Sequence, residues 1–535
     1  MRPGPDMPAA ALRRGALLGI ALAVAAVYRG TLSCPFIYDD HVWVTHNPSI
    51  GRLWPPGGAL LAPPGSAVGG RPVLSLSLAL NHALSGDGAW SYHLANIAIH
   101  VLAAFTLFGA VSRTLALMPG RFPSEEDRIG PAFAVALLWA VHPLQTEAVT
   151  YVAQRSESLM GLFYLLVLYC FIRASRPPGG RGWGALSVLA CLLGMATKEV
   201  MVTAPLAVLA YDRTFVAGSA REALRLRWRL YLGLASTWLV AAWLSAGLGA
   251  RGVGYGLGFT WWAYGLTECW AVCHYILLSL FPHPLVFDYG TRLVGSVGEA
   301  VPWALALAAA VAAAGAAYWR RTALGFAGAW FFLVLAPASS VVPVAYQPMA
   351  EHRMYLPLAA VAAALVLGVW ARLGRRSLPL VLAAALALGT ASFLRNRDYS
   401  SETAIWADTV ARRPSNPRAR IALGDALSAE SRHAEAAEQF SQALRMDPGD
   451  AETRRKLGLA LFRLGGAAQA LAQYRMIVPP TPDSAPLHYD IGLALEASGR
   501  IREAIAELEK AARLDPNDAQ IRASLDRLRT PPPDS

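Results

Sequence analysis

Two adjacent carboxylates, Asp39 and Asp40, stand in the stretch TLSCPFIYDDHVWVTHNP, directly beyond the first hydrophobic segment of the chain. Carboxylates beside an apolar segment are costly to desolvate and are seldom needed for folding, so this pair is the first candidate for chemistry. One carboxylate can take the proton of a hydroxyl, and a pair can also hold a cation. An exposed acidic loop with an Asx turn toward His41 is the structural alternative. The flanking Phe36, Tyr38 and Trp43 would instead hold the loop at a membrane interface.

Other polar residues recur at helical spacing. His93, Asn96 and His100 share one stripe, which suits hydrogen bonding between helices better than a metal, because no acidic or Cys partner lies on the stripe. Glu147, Tyr151 and Arg155 fall at i, i+4 and i+8, within an arc of about 80° on an ideal helix. They read either as a self-neutralising pair or as a wall offering Arg155 to an anion. Lys198, in GMATKEVMV, puts an ammonium among apolar residues, where a lone charge costs about 2.5 to 3.5 kcal/mol. Neutralisation by Glu199 or a phosphate ligand would each relieve that cost. Arg353, in AEHRMYLP, opens an apolar span at its outer end, where snorkelling is the ordinary role. No phosphate-binding glycine loop, nucleophile elbow or paired CxxC occurs, so nucleotide-driven chemistry has no support.

The elements that must position these residues are membrane helices. The 535 residues are 55% hydrophobic and only 16% charged, with mean hydropathy +0.37, too apolar for an ordinary soluble enzyme. The average hides a split near Leu394. Before it, apolar blocks alternate with short arginine clusters; after it, the chain is charged and Ala-rich. The formal charge of +11 is read as topological rather than as a nucleic-acid surface, because the arginines flank apolar spans. Laying those clusters on the cytoplasmic side gives about eleven crossings, with the N-terminus inside and the C-terminal domain outside. In this layout the first span is uncleaved, Lys198-Glu199 breaks a span within the membrane, and residues 261–281 form a non-crossing or re-entrant element. The polar residues then share the outer side, where His93, His142, Glu147, Glu199 and Asp288 would line a cavity. Five cysteines without metal-ligand spacing read as small buried hydrophobes.

From Pro417 the sequence repeats with a 34-residue period. Gly424, Gly458 and Gly492 align, as do Ala436, Ala470 and Ala504, and Pro448, Pro482 and Pro516. Phe440, Tyr474 and Leu508 share another position. This is the tetratricopeptide pattern of small residues where paired helices touch. The repeats are expected at 417–450, 451–484 and 485–518, preceded by a half-unit helix and closed by a capping helix at 519–528, with a short tail at 531–535. Arg420, Arg454 and His488 are equivalent positions assigned to the inner face of the groove, hinting at an acidic or polar ligand.

The order FIYDD with HNP, RPVLSLSLALNHAL with YHLANIAIH, HPLQTEAVTYVAQRSE, TKEV, FDYG and AEHRMYLP ahead of tetratricopeptide repeats resembles the transmembrane and tetratricopeptide-repeat O-mannosyltransferases. That family lies in the glycosyltransferase-C superfamily, whose members take a sugar from a polyprenyl phosphate on the non-cytoplasmic side. The short repeat array and the compact Ala-, Arg- and Gly-rich sequence suggest a bacterial relative. The resemblance implies an all-α chain with a polytopic glycosyltransferase domain over 1–396 and an α-solenoid over 397–530. It makes Asp40 the general base and Asp39 an acceptor or metal contact. Arg353, Lys198 and Arg155 would face the donor phosphate, with His142 orienting it. The implied reaction is an inverting transfer, with mannose first in line, to Ser or Thr of a protein recruited by the repeats. No cofactor is bound covalently, and a divalent cation stays open. A glycan or lipid acceptor, or an inert envelope scaffold, are the alternatives.

Overall fold

The computed structural model describes residues 7–63, 66–118, 120–176, 180–245, 260–290, 293–340, 344, 347–477 and 484–529. It is all-α, with no strand among the described residues. Two compact units meet in sequence between Ser401 and Glu402.

In the first unit, long apolar helices surround one polar interior. Helix Ala89–Leu115 packs against Glu125–Ala140 and Arg155–Ala174, and Pro357–Leu373 packs back on Glu125–Ala140. Glu125–Ala140 starts where Ser124 and Asp127 form a capping box: Ser124 Oγ accepts the Asp127 N–H at 3.1 Å, and Asp127 Oδ2 accepts the Ser124 N–H. It ends at His142-Pro143, because Pro143 has no N–H and disfavours helical backbone in the residue before it. The next helix, Pro143–Thr150 as a continuous stretch, is bent 57° from the first. Tyr151 is extended, at ψ 115°, and regular helix resumes only at Arg155. Every residue from 141 to 160 is buried, Glu147, Arg155 and Glu157 included.

Among the described residues, five helices are long and apolar enough to cross a membrane, or seven if each bent pair counts as one span. The chain is thus a multi-pass membrane protein, but the eleven crossings expected from the arginine clusters are not reached. Gly182–Met195 and Ala323–Leu335 are too short to count, and Pro357–Asp398 passes as a single apolar run despite its turn at Gly374. Lys198 and Glu199 do sit at a break, between Arg181–Met195 and Ala204–Phe215. Residues 261–281 fold as Trp261–Leu280, which is not among the apolar crossing helices.

The second unit begins with helix Glu402–Arg412 and continues as three helix pairs: Pro417–Ala429 with His433–Met446, Ala451–Arg463 with Ala467–Arg475, and Ala485–Ala497 with Ile501–Leu514. Ala519–Arg529 closes the stack. Asn416, Asp450 and Ser484, again 34 residues apart, each cap the first helix of a pair by accepting an N–H three residues on, a contact worth about 1 kcal/mol. The period has a steric cause. A Cβ on Gly424 would lie 2.5 Å from Phe440, one on Gly458 2.2 Å from Tyr474, and one on Gly492 2.7 Å from Leu508. Glycine lets the two helices of each pair approach while a bulky residue fills the seam. Pro482 and the tail at 531–535 lie outside the described residues.

Candidate active site

The loop after the first helix is built around Asp40. Its side chain is fully buried; Oδ2 accepts the Ile37 N–H at 3.1 Å and Oδ1 accepts the Ala153 N–H at 2.6 Å. Tyr38 sits in left-handed backbone at φ 47°, a strained conformation for a bulky side chain that this turn holds in place. Burial pushes the Asp40 carboxyl up to about 8, against the backbone donors that pull it down and with neighbouring Asp39 adding to the rise. Asp40 therefore pins the loop through both of its carboxylate oxygens. Asp39 is half-buried, and its N–H donates to Tyr151 Oη at 3.0 Å. Both aspartates are thus docked on residues 151–153.

That docking surface is one end of a polar hub. Glu147 takes the His352 backbone N–H at 2.9 Å and His352 Nδ1 at 2.7 Å. Burial holds the His352 imidazole well below its usual value. Glu351 accepts from Val286 N at 2.5 Å and Tyr289 Oη at 2.8 Å. Glu157 pairs with Lys198 at 3.0 Å. Glu199 turns away from its sequence neighbour and pairs with Arg71 at 3.1 Å, whose guanidinium lies over Trp43, 5.6 Å from the ring centroid. Residues 147–157 and their partners thereby tie together the acidic loop, Lys198 and the 351–354 turn.

Several expected roles change. The stripe joining Glu147, Tyr151 and Arg155 does not exist, because the extended Tyr151 interrupts the helix, and Glu147 and Arg155 go to separate partners. Arg155 donates to Asn96 Oδ1 at 2.7 Å, Asn81 Oδ1 at 2.6 Å, Ser77 O at 3.1 Å and Tyr92 O at 2.9 Å. Fully buried, it is a clamp between helices with no donor turned to an anion. Arg353 likewise spends its guanidinium on the carbonyls of Ala338, Pro348 and Gln347, with Glu268 at 3.7 Å. His142 accepts the Leu144 N–H and lies 3.3 Å from Ser279 O, capping the turn it precedes. Asp288 receives the Gly290 N–H within its own turn.

His93 meets Cys34 O at 3.1 Å, Asn96 donates to Val149 O, and His100 bridges Tyr355 Oη and Ala140 O at 2.9 Å each. The stripe is an interhelical hydrogen-bond seam, and no group of three His, Cys, Asp or Glu among the described residues could hold a metal. The side chains of Lys198 and Arg71 keep 15% and 13% exposure, against 5% for Arg353 and none for Arg155. They are the cations at the hub that solvent reaches. Arg71 and Glu157 were missed from sequence. Arg71 stands immediately before Pro72 and reads as part of a helix start, and Glu157 is hidden two residues beyond the more conspicuous Arg155.

In the repeats, Arg420, Arg454 and His488 each reach the second helix of their own pair. Arg420 meets Gln439 at 3.1 Å, Arg454 meets Gln473 at 3.4 Å, and His488 meets Glu507 at 2.6 Å. Each is a latch between the two helices of its own pair, and Arg420 and Arg454 also donate to the carbonyls of Pro414 and Pro448. A hollow of about 430 Å³ lies elsewhere, between the first two pairs, lined by Asp425, Ser428, His433, Lys456 and Arg463 among others.

Comparison with known proteins assigns the C-terminal region to the tetratricopeptide repeat family, matched over residues 392–451, 421–485 and 485–518. Over 211 residues the chain is 34% identical to the human protein O-mannosyl-transferase TMTC2, covering 37% of this chain and 23% of that protein. It is 31% identical over 198 residues to the Drosophila melanogaster protein O-mannosyl-transferase Tmtc1, covering 35% and 21%. The matched segment therefore spans less than a quarter of the length of these relatives. Among solved structures, ArnT from Cupriavidus metallidurans bound to undecaprenyl phosphate aligns over 94% of this chain and 87% of its own at 16% identity and a TM-score of 0.38. The motif resemblance to the transmembrane and tetratricopeptide-repeat O-mannosyltransferases holds at the level of sequence.

Proposed function

We propose that this relative of the protein O-mannosyl-transferases is itself a membrane glycosyltransferase, moving mannose from a polyprenyl-phosphate donor to Ser or Thr hydroxyls of proteins on the non-cytoplasmic side. In a bacterial cell the reaction would face the periplasm across the inner membrane. The observation that carries this reading is the docking of the Asp39 and Asp40 loop on the buried stretch that also fixes Lys198 through Glu157.

In the proposed reaction the acceptor hydroxyl oxygen attacks the anomeric carbon from the face opposite the phosphate. The carbon–oxygen bond to the phosphate breaks through an oxocarbenium-like transition state, and the configuration inverts. Asp39, the half-exposed member of the pair, takes the hydroxyl proton, while Asp40 holds the turn that aims it. Lys198 and Arg71 face the charge gathering on the departing lipid phosphate, where cations fixed by Glu157 and Glu199 need no rearrangement as that charge develops. The hollow between the first two repeats offers both signs of charge and two nearby hydroxyls to an acceptor protein.

The test is transfer by the purified full-length chain in lipid nanodiscs, using polyprenyl-phosphate mannose and a Ser/Thr-rich peptide, with peptide mass as readout. Mannosylated peptide with the wild type and none with Asp39→Asn is expected. Sugar appearing only on added lipid or glycan would replace the acceptor class, and no transfer to any acceptor would leave an envelope scaffold.

A further inference from the structure

Residues 212–229 and 318–324 form a surface of the membrane unit with seven arginines and only two carboxylates. Helix Ala220–Leu226 turns 107° from the apolar stretch Glu199–Phe215. A short helix leaving a span at such an angle runs along the membrane plane rather than through it. Ser219 fixes its start by accepting the Glu222 N–H at 3.1 Å.

The two segments are stitched to each other reciprocally. Arg213 donates to Tyr318 O at 2.7 Å, and Arg321 donates to Gly218 O at 2.8 Å. Both carboxylates are already engaged: Asp212 holds Arg227 at 2.9 Å and Glu222 holds Arg225 at 2.7 Å. Arg221, Arg229 and Arg320 are exposed on this stitched platform. Between them stand Leu226, Trp228 and Trp319, exposed by 58%, 56% and 81%. Orientation of the chain in a bilayer explains why arginines gather on one side. It does not explain why they are set on a platform tied down by arginine-to-carbonyl bonds and interleaved with tryptophan.

We propose that this platform binds the phosphodiester headgroup of an anionic bilayer lipid, of the phosphatidylglycerol type, in the leaflet it adjoins. Guanidinium groups match phosphate oxygens in a planar, two-pronged geometry. Trp228, Trp319 and Leu226 supply apolar surface at headgroup depth, which a lipid covers and a free phosphate does not.

The test uses the full-length chain in nanodiscs and native mass spectrometry of retained lipid, comparing phosphatidylglycerol with phosphatidylcholine. The wild type is expected to retain phosphatidylglycerol selectively. Combined Arg221→Gln, Arg229→Gln and Arg320→Gln should weaken that preference about tenfold or more. The matched control Arg372→Gln, Arg375→Gln and Arg376→Gln, in a separate exposed cluster, should leave it within about twofold. Because all six positions are exposed, unchanged circular dichroism is expected for both triples; if the first triple misfolds, Arg→Lys at the same three sites must retain selectivity. Equal loss in both triples, absence of lipid preference in the wild type, or displacement of the lipid by millimolar inorganic phosphate would each overturn the assignment.

Discussion

Asp39 and Asp40 are neighbours in sequence with opposite surroundings, and replacing each by asparagine separates a rate effect from a folding effect. Asp39 is half-buried and donates its backbone N–H to Tyr151; Asp39→Asn keeps that contact and the side chain's shape, and should change stability by less than about 1 kcal/mol. As general base, its loss should lower the transfer rate about 10²- to 10⁴-fold, equivalent to about 3 to 5 kcal/mol of barrier. Asp40 is the reverse case. Its two oxygens accept two different backbone N–H groups, and an asparagine amide has only one oxygen to offer. One buried donor, at Ile37 or Ala153, would then face an NH₂ group, at a cost of about 1 to 3 kcal/mol. Mannosyl transfer measured beside thermal melting in nanodiscs gives both quantities on each variant. The expected pattern is Asp39→Asn inactive with an unchanged melting temperature, and Asp40→Asn with lowered melting and partial activity. A well-folded Asp40→Asn with no activity beside an active Asp39→Asn would reverse the assignment and refute the argument from burial.

Three further outcomes rest on the same geometry. Arg155→Met strands the oxygens of Asn81 and Asn96 and the carbonyls of Ser77 and Tyr92; each buried acceptor left unpaired costs about 1 to 3 kcal/mol, seen as loss of monodisperse protein after detergent extraction, and normal yield would contradict the clamp. Gly458→Ala puts a Cβ 2.2 Å from Tyr474, an overpacking worth about 1 to 3 kcal/mol, so limited proteolysis should cut within the second repeat of the variant and spare the wild type. The Asp40 carboxyl is raised to about 8 in the folded chain from about 3.9 unfolded, so the native state binds its proton more tightly and its stabilising contribution, complete below about pH 4, is lost as pH climbs toward 8. The melting temperature of the chain in nanodiscs should therefore fall over that range, and an equal fall in Asp40→Asn would exclude this carboxyl as its source.

The sequence was most informative where one period governed everything. In the repeats the spacing that aligned Gly424, Gly458 and Gly492 also placed the bulky residues they touch, since each contact is local to one helix pair. It did not bring out what holds Arg420, Arg454 and His488, although their partners Gln439, Gln473 and Glu507 carry the same period and were there to be found. In the membrane unit, Pro143 announced a break, but nothing in Tyr151 foretells extended backbone. That conformation accompanies contacts to Asp39 and Asp40 more than 110 residues away. Long-range choice also decided that Glu199 would take Arg71 rather than Lys198, a pairing across 128 positions that no local pattern encodes. The order of motifs located the polar interior; only the folded arrangement told which cations are consumed in holding it together.

The stretch from 147 to 157 fixes the spacing of its own chain. Within eleven consecutive positions, Glu147, Arg155 and Glu157 bind three different parts of the molecule, and Tyr151 and Ala153 together hold the Asp39-Asp40 loop. One residue inserted or deleted there would rotate the remaining side chains by about 100° per helical position and misdirect several anchors together. Length variation among sister proteins should accordingly be confined to other connections, and this short run should keep the same number of residues wherever the architecture is retained.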